Sequence, residues 1–259
     1  MSSPSAFAID QLPAVGPATI CMGIFDGVHR GHLALVRATV SAAVERGALS
    51  LALVFDPHPD EVVRPGTIVP RLAPTTDNLR RLELAGVDRA LPVRFDGELR
   101  ALTAEEFLAA LPPSIDLRAL VMTPESAFGR NRGGTPDAMR AHGRAIGFDV
   151  VLVEPLVDEH GPISSARVRA ALAAGEIDTA TALLGHPPTL VAQSTVDPEG
   201  WLRFAYAPAL PPPGRYRATM GEAAREAVLE IGPGGEVRLE GAPQWDSGQE
   251  LALELRSRL

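Results

Sequence analysis

Two periods of hydrophobic and polar positions run through the first 187 residues. Short, nearly continuous apolar runs at 18–22, 50–55, 89–93, 117–122 and 150–153 read as strands buried on both faces. Between them lie segments of helical period. The first covers 32–46 and is closed by Gly47, and the second covers 75–84 and is ended by Gly86. Thr103-Ala104-Glu105-Glu106 has the spacing of a capping box before a helix that runs to Ala110, and Thr135-Pro136 opens another with a cap and a proline at its first position. A last helix follows 163–169, runs to Ala174 and stops at Gly175. Strand, helix and strand in repeated succession predict a parallel sheet, hence an α/β, Rossmann-like doubly wound domain over 1–187.

From about Pro187 the pattern changes to short β-prone runs at 190–194, 202–206, 215–220, 227–231, 237–239 and 251–255. Turn sequences such as Val196-Asp197-Pro198-Glu199-Gly200, Pro211-Pro212-Pro213-Gly214 and Gly232-Pro233-Gly234-Gly235 separate them. These predict a small C-terminal antiparallel β domain over 188–259, barrel-like or a sandwich. There is no internal repeat.

Composition narrows the function. The net charge of −8 argues against non-specific nucleic-acid binding, which needs an excess of basic residues on one face. All 24 basic residues are arginine. Without a lysine there is no P-loop, no protein-kinase strand lysine and no Schiff-base amine, so phosphate must be handled by Arg, His and backbone amides. No apolar run approaches the roughly 20 residues needed to span a bilayer. The single cysteine, Cys21, forms no intrachain disulfide, and the start of the chain lacks the basic opening of a secretion signal, so a cytoplasmic protein is expected. The sequence does not specify an oligomeric state.

The run Gly23-Ile24-Phe25-Asp26-Gly27-Val28-His29-Arg30-Gly31-His32 stands at a strand-to-helix junction. Unpaired N–H groups in a first helical turn, the positive end of the peptide dipole and closely approachable glycines suit polyphosphate, and two imidazoles can donate to its oxygens. Zinc capture by His29 and His32 is disfavoured, because no third ligand lies nearby in sequence, and no metal-ligating residues are predicted. Asp26 can orient a histidine, meet ribose or magnesium, or cap the turn. Further along, Ile163-Ser164-Ser165-Ala166-Arg167-Val168-Arg169 can cap a helix while Ser164, Ser165, Arg167 and Arg169 face a phosphate, although capping alone also accounts for the serines. His58 and Pro59, in Asp56-Pro57-His58-Pro59, form either a ligand contact or a stiff turn.

Taken together, Gly-x-Phe-Asp-Gly-Val-His-x-Gly-His and the later Ile-Ser-Ser-x-x-x-Arg resemble the nucleotidylyltransferase superfamily with the His-x-Gly-His signature. In detail the chain is similar to the adenylyltransferase domain of bacterial FAD synthetase over about 15–188. Phe55-Asp56-Pro57-His58-Pro59, Gly86-Val87-Asp88, Phe128-Gly129-Arg130-Asn131-Arg132-Gly133-Gly134 and Leu183-Leu184-Gly185 stand in that family's order. The resemblance implies an enzyme that transfers AMP from ATP to FMN with magnesium, giving FAD and pyrophosphate. On that basis His29, His32 and Arg169 are the catalytic candidates. Gly23, Phe25, Asp26, Gly31, Ser164, Ser165 and Arg167 are the nucleotide-binding candidates, and His58, Pro59, Glu125, Phe128 and Arg130 the flavin-binding ones.

The chain departs from the family pattern in several places. Thr123-Pro124-Glu125-Ser126 replaces a run with a glycine and an aromatic, Ala166 replaces a hydroxyl residue, and Asn78 stands where a lysine is common. The glycine-rich and Pro-Thr-Ala-Asn motifs of the riboflavin kinase barrel are absent after residue 185, so a degenerate kinase-like domain without riboflavin kinase activity is expected. Transfer to another phosphorylated acceptor, or a catalytically weak flavin or nucleotide sensor, are the alternatives. ATP and FMN are the expected partners, with neither nucleic acid nor membrane.

Overall fold

Strands β1 (Gly16–Gly23), β2 (Leu49–Asp56), β3 (Arg89–Arg94), β4 (Ile115–Met122) and β5 (Asp149–Leu152) pair in parallel in the order β3-β2-β1-β4-β5. This is the doubly wound architecture expected from the sequence. The computed structural model describes residues 6–193, 200–221, 224–241 and 250–259. Among the described residues the chain divides into two units, one holding 6–67 with Thr75–Pro162, the other Ile68–Pro74 with Ile163–Leu259.

Helices α1 (Arg30–Glu45), α2 (Pro59–Val63), α3 (Thr75–Leu84), α4 (Gly97–Ala101), α5 (Ala104–Ala109) and α6 (Pro136–Ile146) complete the first unit with a short hairpin, β6 (Val157–Asp158) and β7 (Gly161–Pro162). Strand alternation sends side chains into two cores. Ala18 and Ile20 join Leu51, Leu53, Phe107 and Met139 on one face, whereas Cys21 joins Val36, Ala52, Leu79 and Leu82 on the other. The capping box is formed: Glu106 N donates to Thr103 Oγ1 at 3.1 Å, and Thr103 N donates to Glu106 Oε2 at 2.7 Å. Thr135 caps α6, with Pro136 in its first turn. The strand order reverses between β1 and β4, so the loops leaving those two strands flank the crevice where doubly wound sheets take ligands.

In the second unit, α7 (Ser165–Ala173) and α8 (Ile177–Leu184) precede β8 (Thr189–Ala192), β9 (Gly214–Met220), β10 (Arg225–Ile231), β11 (Val237–Leu239) and β12 (Leu251–Arg258). The strands form an antiparallel sheet in the order β11-β10-β9-β12-β8 around buried Tyr216, Leu229 and Leu253. The 187/188 boundary expected from sequence falls inside this unit, between its helices and its sheet. The strand expected at 202–206 is not a ladder. Trp201 and Arg203 make isolated bridges to Arg238 and Gln193, and the prolines at 208 and 211–213 cannot donate to an extension. Ser194 and the expected turn at 196–199 lie outside the described residues. Segment Ile68–Pro74 joins this unit through Arg71, whose N donates to Ala207 O and whose O accepts from Ala209 N, both at 2.7 Å. Among the described residues no helix is long and apolar enough to cross a membrane.

Candidate functional site

The loop leaving β1 turns through conformations that side chains rarely adopt. Phe25, Gly27 and Val28 have φ of 52°, 77° and 42°. Glycine takes such a value freely, but a β-branched residue such as Val28 is strained there. The turn persists because it is held on several sides. Phe25 and Val28 are buried in the core beneath α1 and α3, Val28 N donates to Phe25 O at 3.1 Å, and Gly27 N donates to Asn78 Oδ1 at 3.0 Å. Asp26, 2% exposed, is enclosed within it.

This turn delivers His29 to the N-cap of α1, where its Nδ1 accepts from His32 N at 3.3 Å. An accepting Nδ1 places the ring proton of a neutral His29 on Nε2. His32, one helical turn on, stacks against His29 with centroids 3.6 Å apart and an 18° interplanar angle, while Phe25 packs on His32 at 5.1 Å. His32 Nδ1 is buried without a hydrogen-bond partner. Burial, and then the neighbouring His29, hold the His32 imidazole well below its ordinary pKa. Both rings therefore stand at the positive end of a 16-residue helix, with His32 held towards its uncharged form. Gly31 lies in the first turn of that helix and, having no side chain, adds none over the backbone there.

Beside the turn, the crevice opens into a cavity of about 1150 Å³, lined by Gly23 and Ile24 from the same loop. Its apolar wall includes Met22, Leu120 and Met122 with an aromatic group. Phe55 meets Phe95 at 5.7 Å and Phe107 at 6.3 Å, and Phe107 meets Phe128 at 5.4 Å, all edge to face. Pro59, Glu125, Phe128 and Arg130, four of the flavin candidates, line this one cavity. His58 does not line it. It is 6% exposed and its Nδ1 accepts from Asp60 N at 3.1 Å, which caps α2 and holds Pro59 and Asp60 in the cavity wall.

Four arginines, Arg64, Arg100, Arg130 and Arg132, also line the cavity, against the carboxylates of Asp60 and Glu125. Arg132 donates to the Glu125 carbonyl at 3.3 Å. Loop 123–134 is pinned at both ends. Thr123 N donates to Ser126 Oγ at 3.0 Å, Phe128 and Gly134 pair backbone to backbone, and Arg130 N donates to Leu102 O at 2.6 Å. Gly129, at φ 71°, lies so close to α5 that a Cβ would sit 2.5 Å from Ala104 N.

Ser164, Ser165, Arg167 and Arg169 belong to the other unit. Ser164 caps α7, its Oγ accepting from Arg167 N at 3.3 Å. Ser165 is the first residue of that helix, and Arg167 and Arg169 stand half-buried on its opening turns, one on each side of the fully buried Val168. Among the described residues no group of three or more His, Cys, Asp or Glu side chains is gathered to hold a metal ion. Asn78, the cavity residues Asp60, Arg64, Arg100 and Arg132, and the aromatic wall of Phe55, Phe95 and Phe107 are among the site residues that sequence reasoning did not name as candidates. The replacement of a customary lysine was the one signal that Asn78 has a particular job.

A family model described as FAD synthetase matches residues 13–167. The bifunctional riboflavin kinase/FMN adenylyltransferase of Escherichia coli K12 is 34% identical over 180 residues, 69% of this chain and 57% of that protein. The protein of the same name from Pseudomonas fluorescens is 37% identical over 170 residues, 64% of this chain and 53% of its own. The chain thus spans little more than half the length of these relatives. Among solved structures, one described as a macrolide-efflux protein from Streptococcus pneumoniae superposes with a TM-score of 0.80, covering 94% of this chain and 86% of that one at 22% identity. At that identity the likeness is one of fold alone.

Proposed function

The chain belongs to the FAD synthetase family, and from that premise we propose that it transfers AMP from ATP to the phosphate of FMN. An FMN phosphate oxygen forms a bond to the α-phosphorus, the bond from that phosphorus to the β-phosphate oxygen breaks, and pyrophosphate leaves with the electron pair. Such a reaction needs positioning and charge neutralisation rather than a covalent nucleophile. The observation that carries the reading is the stacked pair of His29 and His32 at the head of α1.

In this reading the Nε2–H of His29, the imidazole of His32 and the amides of the first turn, with Gly23, Phe25, Asp26 and Gly31 shaping the approach, steady the triphosphate. Arg169 and Arg167, with the Ser164 and Ser165 hydroxyls, hold the departing β- and γ-phosphates. Magnesium would accompany ATP, coordinated by the triphosphate oxygens, and would offset their negative charge. The flavin ring lies on the Phe55, Phe107 and Phe128 wall, with Pro59 and Glu125 at its edge and Arg130 beside it. Residues 1–187 carry the transfer, and the chain does not phosphorylate riboflavin.

A second reading keeps the chemistry and changes the acceptor. The guanidinium groups of Arg64, Arg100 and Arg130 make no hydrogen bond or ion pair among the described residues, and Thr123 to Ser126 departs from the family pattern, so a more anionic phosphorylated acceptor also fits. Pyrophosphate release from ATP, measured with FMN and beside it with a panel of phosphorylated acceptors, decides. Turnover with FMN alone supports the first reading, turnover only with another acceptor selects the second, and ligand binding without turnover on any acceptor refutes both in favour of a sensor.

A further inference from the structure

We propose that Asn78 is a positioning residue for nucleotide transfer, its side-chain carbonyl setting the turn that aims His29 and His32. The inference rests on the adenylyl-transfer reading above and adds to it a residue outside the signature motif. Gly27 lies between two side chains held at positive φ, Phe25 and Val28. A turn of that kind keeps its shape only where its surroundings over-determine it. Its buried N–H at Gly27 is met by Asn78 Oδ1, 51 residues along the chain and itself 1% exposed. Because Gly27 N can only donate, the orientation of the Asn78 amide is fixed at that oxygen.

Helix α3, which carries Asn78, is itself anchored. Thr75 Oγ1 donates to Asp56 Oδ1 at 2.9 Å, tying the helix start to the end of β2. Asp77 accepts from Arg80 Nη2 at 3.0 Å and Arg81 Nε at 2.6 Å, and Leu79 and Leu82 share the core that buries Phe25 and Val28. The turn is therefore referenced to the sheet through a fixed helix. His29 begins two residues after Gly27, so a shift at Gly27 is passed directly to the ring that His32 stacks upon. A lysine at position 78 has three donors and no acceptor, so it could not make this bond.

The test compares Asn78→Ala, Asn78→Asp and Asn78→Lys by steady-state turnover on ATP and FMN, with the His29 and His32 imidazole resonances followed by NMR. Displacement of a reacting group by about 1 Å costs on the order of 100-fold. Asn78→Ala and Asn78→Lys are expected to lower kcat by about that factor with little change in the KM for FMN, and to shift both imidazole spectra. Asn78→Asp keeps the acceptor, and its kcat is expected within about tenfold of wild type, with a raised KM for ATP because the new charge opposes the phosphates. A folded Asn78→Ala variant with wild-type kcat overturns the proposal, as does Asn78→Asp falling as far as Asn78→Ala. If wild type is inactive on ATP and FMN, the adenylyl-transfer reading fails. The imidazole spectra then decide the positioning role, and their invariance in Asn78→Ala overturns it. Should Asn78→Ala not fold, Asn78→Ser, whose oxygen is too short to reach Gly27, makes the same comparison.

Discussion

His29 and His32 share one face, their rings 3.6 Å apart and close to parallel, and a hydrogen bond from His32 N fixes the tautomer of His29. Two charged imidazolium rings at that separation would repel, and the burial of His32 adds to the penalty. His32 consequently rests uncharged, its pKa held well below 6.5 by burial first and then by His29.

A polyphosphate reverses that balance, because a nearby anion favours the charged imidazole. ATP binding near pH 7 is expected to take up a proton, detected calorimetrically as a binding heat that varies with the ionisation heat of the buffer. The same depressed pKa bears on stability. The unfolded chain binds a proton at His32 below about pH 6.5 and the folded one does not, so stability is full above that pH and declines as pH falls below it, by at most about 1.4 kcal/mol per unit. Denaturant titrations of wild type and His32→Gln between pH 5 and 7.5 should differ by that slope; binding without proton uptake and identical slopes would place His32 outside the phosphate site.

Replacing His32 by alanine is expected to slow transfer by about 100-fold, the usual effect of losing one preorganised phosphate donor. Circular dichroism should remain native. Unchanged turnover would remove His32 from the reaction.

Gly129→Ala strains a backbone at φ 71° and drives a methyl group against Ala104 N. A loss of about 1–3 kcal/mol is expected from the strain alone. Because Phe128 and Arg130 flank the position, the KM for the acceptor should rise more than the KM for ATP. An equal rise in both would mean that the loop does not serve the acceptor.

The thiol of Cys21 is buried in β1, and that burial pushes its pKa up to about 11. It is expected to resist thiol reagents in the native state and to react once on unfolding, which makes it a reporter of the parallel sheet. Stoichiometric labelling under native conditions at neutral pH would contradict the packing around β1.

Incubation with riboflavin, ATP and magnesium is expected to yield no FMN. Formation of FMN at an ordinary enzymatic rate would show that a kinase site exists without the family's motifs.

The parallel sheet was legible in the sequence because each of its strands is a nearly unbroken apolar run, and the caps at Thr103 and Thr135 are local hydrogen-bond devices that need no tertiary information. Helix α3 matched its expected span of 75–84 because both ends carry signals, Thr75 and Gly86. Helices α2 and α4, five residues each, are too short to display a period, and α8, at eight residues, is little more than two turns. At the site, Pro59, Glu125, Phe128 and Arg130 were named together and line one cavity, whereas His58 turned inward as a cap. Asn78 was invisible as a tether because its bond spans 51 residues, a distance that no local rule addresses.

The seven residues from Ile68 to Pro74 lie in sequence between α2 and α3 yet pair through Arg71 with Ala207 and Ala209. Among the described residues the polypeptide therefore passes from one unit to the other three times, and no single scission within them yields two self-sufficient fragments. A truncation at Pro162 would leave Arg71 with orphaned backbone groups, and a graft of residues 163–259 onto another protein would lack that added backbone ladder. Recombination between relatives would have to exchange the short insert and the distal portion together.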